Sequence, residues 1–158
     1  MLGGLGIVRH VPVSNRGFWK VVLPLIVGGI VLVVLVLVFR PVARTGAVAY
    51  AQANLRRAAE AAEHLATDAS LADADRERLT AEGGVDDLLL IDPDQTSNDP
   101  EVISVLATAT EWTGSARAET GECFWIRIAA TGGTVLGTGT DCSAEEASAA
   151  PPGTWPEP

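Results

Sequence analysis

Histidine and cysteine are scarce in this chain, and their scarcity limits the chemistry that its side chains can perform. The sequence has two histidines, His10 and His64, and two cysteines, Cys123 and Cys142. Neither histidine lies near a cysteine, and no Cys-x-x-Cys spacing occurs, so a zinc site is not expected. The sequence also lacks a Ser/His/Asp set, a phosphate-binding glycine loop and a His-Glu-x-x-His helix. We therefore expect no enzyme activity and no cofactor.

Acidic residues are absent from the first part of the chain. All 20 acidic residues lie beyond residue 44, whereas the charged residues within 1–44 are all basic. The remainder of the chain therefore carries a strong negative charge. Because such a surface repels phosphate groups, it disfavours binding to nucleic acid or to anionic lipid, and no nucleic-acid partner is expected.

One long hydrophobic run is present. Residues 21–39 contain no charged side chain and lie between Lys20 and Arg40. As a helix at about 1.5 Å per residue the run would cover about 28 Å, close to the roughly 30 Å hydrocarbon core of a bilayer. A cleaved signal peptide is the alternative, but its apolar region is shorter and precedes a small-x-small cleavage site. We predict a cytoplasmic leader over 1–17 and a single-pass transmembrane helix over 18–40.

The two cysteines indicate the compartment of the remaining domain. A disulfide that closes the loop between Cys123 and Cys142 would stabilise the domain by about 3 kcal/mol in the chain-entropy treatment. Such a bond persists in an oxidising compartment. The alternative is two free, buried thiols in a cytosolic domain. The disulfide interpretation predicts a plasma-membrane protein with a cytoplasmic N-terminus and an extracytoplasmic C-terminal domain.

The periodicity of the later sequence predicts helices first and strands afterwards. Apolar residues, mostly alanine, recur at steps of three and four from Val48 to Ala69, which is the stripe of one helical face. A further helix is expected to start at Ser70, with Asp73 completing its cap, and to end at Gly83. Together these segments form an amphipathic helical region over 45–83. Short apolar runs joined by tight turns then predict an antiparallel β-sheet over 84–142.

These elements define an α+β fold class. An N-terminal transmembrane helix is expected to extend into the amphipathic helix, which packs on a small antiparallel β-sheet with one disulfide. The segment 143–158 is rich in proline and small residues. Its composition predicts a disordered tail.

The loop 92–99 carries several oxygen-bearing side chains. Asp92, Asp94, Asn98 and Asp99 could gather ligands for calcium. Against the EF-hand template, however, the loop has no glycine at the sixth position, and Ile103 replaces the bidentate glutamate at the twelfth. Because loops of this composition are usually turns, we predict a solvated turn and no metal site, with calcium binding as the alternative.

The order of a basic leader, an apolar helix, an alanine-rich helix, an antiparallel sheet and a C-terminal cysteine pair resembles type IV pilins and pseudopilins. The segment Thr120-Gly-Glu-Cys-Phe-Trp-Ile-Arg-Ile and the later Gly-Thr-Val-Leu-Gly-Thr-Gly-Thr-Asp-Cys142 are similar to a pattern of pilin-like globular domains in Gram-positive bacteria. That pattern is a Gly-x-Cys-aromatic strand, a glycine-rich turn and a closing cysteine. Gly17 and Phe18, after Arg16, are similar to the cleavage position of prepilins.

The resemblance implies a role in assembly, with one departure from the family pattern. Prepilins carry a glutamate five residues after the cleavage point, where this chain has Val22, and Lys20 lies between. We therefore expect the leader to be mostly retained. The expected function is a structural or interaction subunit of a surface filament or secretion assembly, with other pilin-like subunits as partners. The alternative is an uncleaved, membrane-tethered ligand-binding or accessory domain outside any filament.

Overall fold

The computed structural model of the protein describes residues 16–67 and 70–156, with the side chains of residues 25–35 and from residue 44 onward. The chain divides into two units, Met1–Arg40 and Pro41–Pro158. The first helix contributes residues to both units. The elements in chain order are α1 (Arg16–Ala66), a short 3-10 helix (Leu71–Asp73), α2 (Arg76–Glu82), β1 (Leu89–Ile91), β2 (Val102–Ala107), β3 (Glu111–Arg117), β4 (Cys123–Ala129), β5 (Thr134–Gly139) and α3 (Ala144–Ala149).

The described side chains of the first unit are those of residues 25–35, and all of them are exposed. Within the described residues, no helix combines the length and the hydropathy that crossing a membrane requires. This finding contradicts the transmembrane helix predicted over 18–40. It also contradicts the single-pass plasma-membrane localisation, with its cytoplasmic N-terminus and extracytoplasmic C-terminal domain.

In the second unit, the alanine stripe of α1 is buried. The small side chains let the helix lie close to the sheet, and the larger apolar residues of three strands fill the space between them. The buried residues of the helix include Val48, Ala51, Leu55, Ala58 and Ala62. Those of the strands include Ile103, Val105, Trp112, Phe124, Ile126 and Ile128. This layer is the main hydrophobic core of the unit.

The helical region after α1 is shorter than its pattern predicts. Ser70 does form a capping box with Asp73, but the box caps a single 3-10 turn. A second cap follows at once, because the Asp75 side chain accepts a hydrogen bond from the Arg78 amide and starts α2. Two successive caps therefore divide the segment that the sequence predicts as one helix.

The sheet has five strands in the order β1-β2-β3-β4-β5, and it is mixed. The pairs from β2 to β5 are antiparallel, but β1 runs parallel to β2. The prediction of a small antiparallel sheet is therefore wrong. The physical reason is the length of the connection 92–101, which returns the chain to the starting end of β1, so that β2 runs in the same direction as β1. At that end the Leu89 amide donates to the Glu101 carbonyl at 2.8 Å. The Ser97 hydroxyl supports this connection with a 2.6 Å bond to the Val102 carbonyl.

The opposite face of the sheet is covered by α3, which the sequence places in a disordered tail over 143–158. Ser104 alternates with the core residues Ile103 and Val105 and so lies on this second face, where its hydroxyl accepts from the Ala144 amide at 2.9 Å. The Ser143 hydroxyl caps α3 by accepting from the Glu146 amide at 3.2 Å. Up to residue 156, the prediction of a disordered tail is wrong.

Candidate functional site

The residues after α3 form a strap, defined here as residues 150–156, that rounds the outer edge of β5. The Gly153 amide donates to the Leu136 carbonyl at 2.9 Å and forms an antiparallel β-bridge. Residues 151–154 are exposed, whereas Trp155 is buried, with 8% of its surface accessible. The strap therefore leads from the α3 face of the sheet to the α1 face.

Trp155 anchors the strap through directional contacts. Its indole Nε1 donates to the Trp125 carbonyl at 3.1 Å and to the Gly137 carbonyl at 3.0 Å. Its ring meets Phe124 edge to face with 6.2 Å between centroids, and the Arg56 guanidinium lies 5.0 Å from the indole centroid. Because a buried indole needs a partner for its N–H group and gains from a nearby cation, these contacts fix one ring position.

The strap forms one wall of an open groove beside α1 and β5, which we call the strap groove. Its cavity measures about 510 Å³, and its other walls include Gln52, Arg56, Thr134 and Leu136. The Gln52 amide donates to the carbonyl of Pro156 at 3.2 Å, so the end of the strap is also held by α1. The strap is thus held by one edge strand and one helix.

Next to the strap groove, Trp125 of β4 and Gly137 of β5 are directly opposite each other in the sheet. The Trp125 indole, 1% exposed, lies against Gly137 so closely that a Cβ there would be 2.1 Å from its Cζ2 atom. The Arg127 guanidinium lies 5.0 Å from the centroid of the same ring. Among the described residues, the indole Nε1 of Trp125 is buried without a hydrogen-bond partner. Only glycine leaves room for this packing.

The disulfide predicted between Cys123 and Cys142 is confirmed. The two Cα atoms are 5.2 Å apart, within the usual range for a disulfide. The bond joins the first residue of β4 to the residue before the Ser143 cap of α3. The Cys142 carbonyl also accepts from the Ser97 amide at 3.0 Å. The disulfide therefore fixes the point from which α3 and the strap extend.

Arg127 fixes the other end of α3. Its guanidinium donates to the Ser148 carbonyl at 2.5 Å and to the Ala150 carbonyl at 3.0 Å. Ser148 lies in the last turn of the helix and Ala150 is its C-cap residue, so both carbonyls are at the end where acceptors lack partners within the helix. The start of α3 is therefore held by the disulfide, and its end, together with the first residue of the strap, is held by Arg127.

The loop considered for calcium does not bring its oxygen atoms together. An Asp92 carboxylate oxygen lies 2.8 Å from the Arg76 guanidinium, and an Asp99 carboxylate oxygen accepts from the Glu101 amide at 2.9 Å. Asp94 and Asn98 are exposed. In residues 16–67 and 70–156, no three histidine, cysteine or acidic side chains are grouped so that they could hold a metal ion.

The candidate cleavage position, Gly17 and Phe18, lies in the first turn of α1, which begins at Arg16. The side chain of Phe18 and residues 1–15 of the predicted leader lie outside the described residues. Cleavage at this position, and retention of the leader, therefore stay predictions.

An exposed ion pair gives the second unit a measurable response to pH. The Arg57 guanidinium donates to both carboxylate oxygens of Asp87, at 2.7 and 2.9 Å. These bonds hold the pKa of Asp87 below its ordinary value. Because the pKa of Asp87 is lowered in the folded state, the ion pair contributes its full stabilisation above the ordinary aspartate pKa. This stabilisation is lost as the pH falls through the folded-state pKa. Both side chains are exposed, so the effect is small.

We therefore expect Asp87→Asn to lower the melting temperature slightly at neutral pH, and the difference from wild type to shrink below about pH 4. Thermal unfolding followed by circular dichroism over a pH series measures both effects. The double variant Arg57→Gln/Asp87→Asn serves as the control and should follow the profile of Asp87→Asn. A wild-type advantage that persists unchanged into strong acid would contradict this assignment.

In comparisons with known proteins, no family model, no curated protein and no solved structure matches this chain. The resemblance to type IV pilins therefore depends on the residues quoted above, and what it implies about function stays a prediction. The site itself is defined by its geometry, as an open groove bounded by α1, β5 and the strap residues Gly153, Thr154, Trp155 and Pro156.

Proposed function

We propose that the protein is a structural subunit of a pilin-like surface filament or secretion assembly. In this assembly, the apolar segment of α1 over residues 25–35 is buried against the same segment of other copies. The observation that carries the proposal is the exposure of this segment on every side. Leu25 is 70% exposed, Leu32 65% and Val33 56%, and all their neighbours in the segment are exposed as well.

A helix that is apolar around its whole circumference is normally buried rather than left in water. Successive residues of a helix point about 100° apart, so a contact on one face would cover only part of this segment. Several neighbouring helices are needed to surround it. Gly28 and Gly29 have no atom within 4 Å of the position of an added Cβ, so a neighbouring helix could approach the backbone there.

The properties of the second unit support the same proposal. Its disulfide favours an oxidising compartment, as expected for a surface assembly. Its acidic surface makes two copies of the unit repel each other, which directs attraction between subunits to the uncharged helix. The alternative is an accessory or ligand-binding domain outside any filament, for which the open strap groove offers a cavity of about 510 Å³.

The proposal is tested by Leu32→Glu in the native host. Sheared surface fractions should contain wild-type protein in large species, and the amount should be at least about tenfold lower for the variant. A tenfold change represents roughly 1.4 kcal/mol, and burying an unpaired carboxylate between helices costs well over that. The matched control is Leu89→Glu, which changes an equally exposed leucine on β1 and should leave the fractions unchanged. Wild-type protein found solely as a monomer, or a variant that assembles as wild type does, would contradict the proposal.

A further inference from the structure

Two cavities adjoin each other along α1 and β5. One is the strap groove, and the other measures about 260 Å³. The two cavities have three lining residues in common, which are Arg56, Thr134 and Leu136. The second cavity is also lined by Ala59, Glu60, Glu63, Ile126 and Ile128. Together they form a trough, which we call the α1–β5 trough and define by the lining residues of both cavities.

The length of the trough suits a short peptide in extended conformation. Its lining residues on α1 begin at Gln52 and end at Glu63. At about 1.5 Å per helical residue, this stretch of α1 is about 16 Å long. Because an extended segment rises about 3.3 Å per residue, about five residues match that length.

The trough offers such a segment an apolar wall and a strand edge. Ile126 and Ile128 belong to the hydrophobic core, and the half-buried Leu136 packs against that core. On the outer edge of β5, the Leu136 carbonyl accepts from the strap. Alternate residues of a strand present their backbone groups to the same side, so Thr134 presents its amide and carbonyl to this edge as well. Pairing with a strand edge is a common mode of peptide recognition.

Arg56 indicates that the occupant carries a carboxylate. The other arginines whose side chains the structure describes all have oxygen partners; they are Arg44, Arg57, Arg76, Arg78, Arg117 and Arg127. Among the described residues Arg56 has no such partner, although the second unit is rich in carboxylates. Its guanidinium lies 5.0 Å from the centroid of the Trp155 ring. A stacked guanidinium keeps its N–H edge free, and that edge matches a carboxylate.

Glu60 and Glu63 indicate that the same occupant carries basic groups further along. Both side chains are exposed, and in the described part of the chain neither forms an ion pair. They follow Arg56 by about 6 and 10 Å along the helix axis. Alternate residues of an extended segment lie about 7 Å apart on one side of it. The charges of the trough therefore complement an acidic residue followed, two and four positions away, by basic residues.

We propose that the α1–β5 trough binds an extended segment of a partner protein whose residues follow the order acidic, apolar, basic, apolar, basic. The acidic residue pairs with Arg56, and the basic residues pair with Glu60 and Glu63. The backbone of the segment pairs with the outer edge of β5 at Thr134. The site lies in the second unit and uses none of residues 25–35, so it is independent of the proposed assembly.

The first test is a titration of the full chain with a capped, fluorescent Asp-Val-Lys-Val-Lys peptide, followed by anisotropy. We expect saturable binding, and a loss of at least about tenfold both for Arg56→Gln and for the peptide with asparagine in place of aspartate, because each change removes the same charge-assisted pair. The two changes combined should weaken binding little more than either alone. The matched control is Arg57→Gln, which removes the same charge from the next residue of α1, outside the trough, and should bind as wild type does. Absence of saturable binding to wild type at millimolar peptide, or an equal loss with Arg57→Gln, would overturn the inference.

The second test reverses the charge at Arg56. Wild type should prefer the peptide that begins with aspartate over Lys-Val-Lys-Val-Lys, and Arg56→Glu should reverse this preference. Arg57→Glu has the same net charge as Arg56→Glu and should keep the preference of wild type. A reversal with both variants would show that net charge alone drives binding and would refute the site. If Arg56→Glu is unfolded by circular dichroism, the comparison of Arg56→Gln with Arg57→Gln decides.

The Leu32→Glu variant separates this site from helix packing. It should bind the peptide beginning with aspartate with the affinity of wild type, whether or not it assembles. If Leu32→Glu assembles as wild type does while the peptide still binds, the proposed function fails and the peptide site stands. A loss of peptide binding in Leu32→Glu would contradict the independence of the site.

Discussion

Replacing Cys123 and Cys142 by serine is expected to lower the free energy of unfolding by about 3 kcal/mol, because the unfolded chain regains the freedom of the closed loop. Domains of this size have a total stability of about 5 to 15 kcal/mol, so the loss is a large share. Urea unfolding of the oxidised wild type and the double serine variant measures the difference.

Reduction of the wild type provides the control for this experiment. With a reductant, wild type should unfold at the midpoint of the double serine variant, and the variant itself should not respond. Because the disulfide fixes the start of α3, amide hydrogen exchange of Ala144–Ala149 should rise in the variant more than that of β3. Equal midpoints for the oxidised wild type and the variant would contradict a stabilising role for the bond.

Substituting Gly137 by alanine is expected to cost about 1–3 kcal/mol or more, because the new methyl group would overlap the indole of Trp125. The indole is enclosed in the sheet and cannot move aside without shifting its neighbours. The loss should appear as a lower urea midpoint with an unchanged slope. It should also weaken the strap, since the Gly137 carbonyl is an acceptor for Trp155.

Gly139 provides a matched control for this substitution, since it lies two residues further along the same strand. A Cβ at Gly139 would be 3.6 Å from its nearest atoms, which is an ordinary contact. Gly139→Ala should therefore change stability by well under the loss at Gly137. Similar losses at the two positions would show that strand propensity, rather than the close approach of the indole, determines the effect.

Features that depend on neighbours in the sequence were predictable. The alanine stripe of α1 follows from the helical repeat, and the Ser70 cap follows from a side chain three residues away. The cysteine pair was predictable because the sequence has no histidine near it and no Cys-x-x-Cys spacing. Each of these predictions uses information that lies within one segment or one pair of residues.

Features that depend on distant residues were not predictable in the same way. The strap is ordered because Trp155 meets Arg56 of α1 and the backbone of β4 and β5, and no local pattern reports those contacts. Its composition alone indicates disorder. For α3, which precedes the strap, a local signal was present: Ser143-Ala-Glu-Glu146 matches the pattern of a helix cap. The parallel pairing of β1 likewise depends on where the connection 92–101 returns the chain, which its turn residues do not specify.

The apolar run illustrates a different limit of sequence patterns. A long uncharged stretch predicts burial in an apolar environment, but it does not by itself distinguish lipid from other helices. Among the described residues, no helix is long and apolar enough to cross a membrane. The exposure of residues 25–35 on all sides is what the proposed packing between copies accounts for.

The most direct measurement of that packing is site-specific photo-cross-linking in the native host. A photoreactive residue placed at Ile30, which is 58% exposed, should form adducts whose mass and peptide map identify residues 25–35 of another copy of this chain. The same residue placed at Glu60, on the exposed face of α1 in the second unit, serves as the control and should not yield that adduct. Adducts at Ile30 with lipid alone, or none to another copy, would contradict the account.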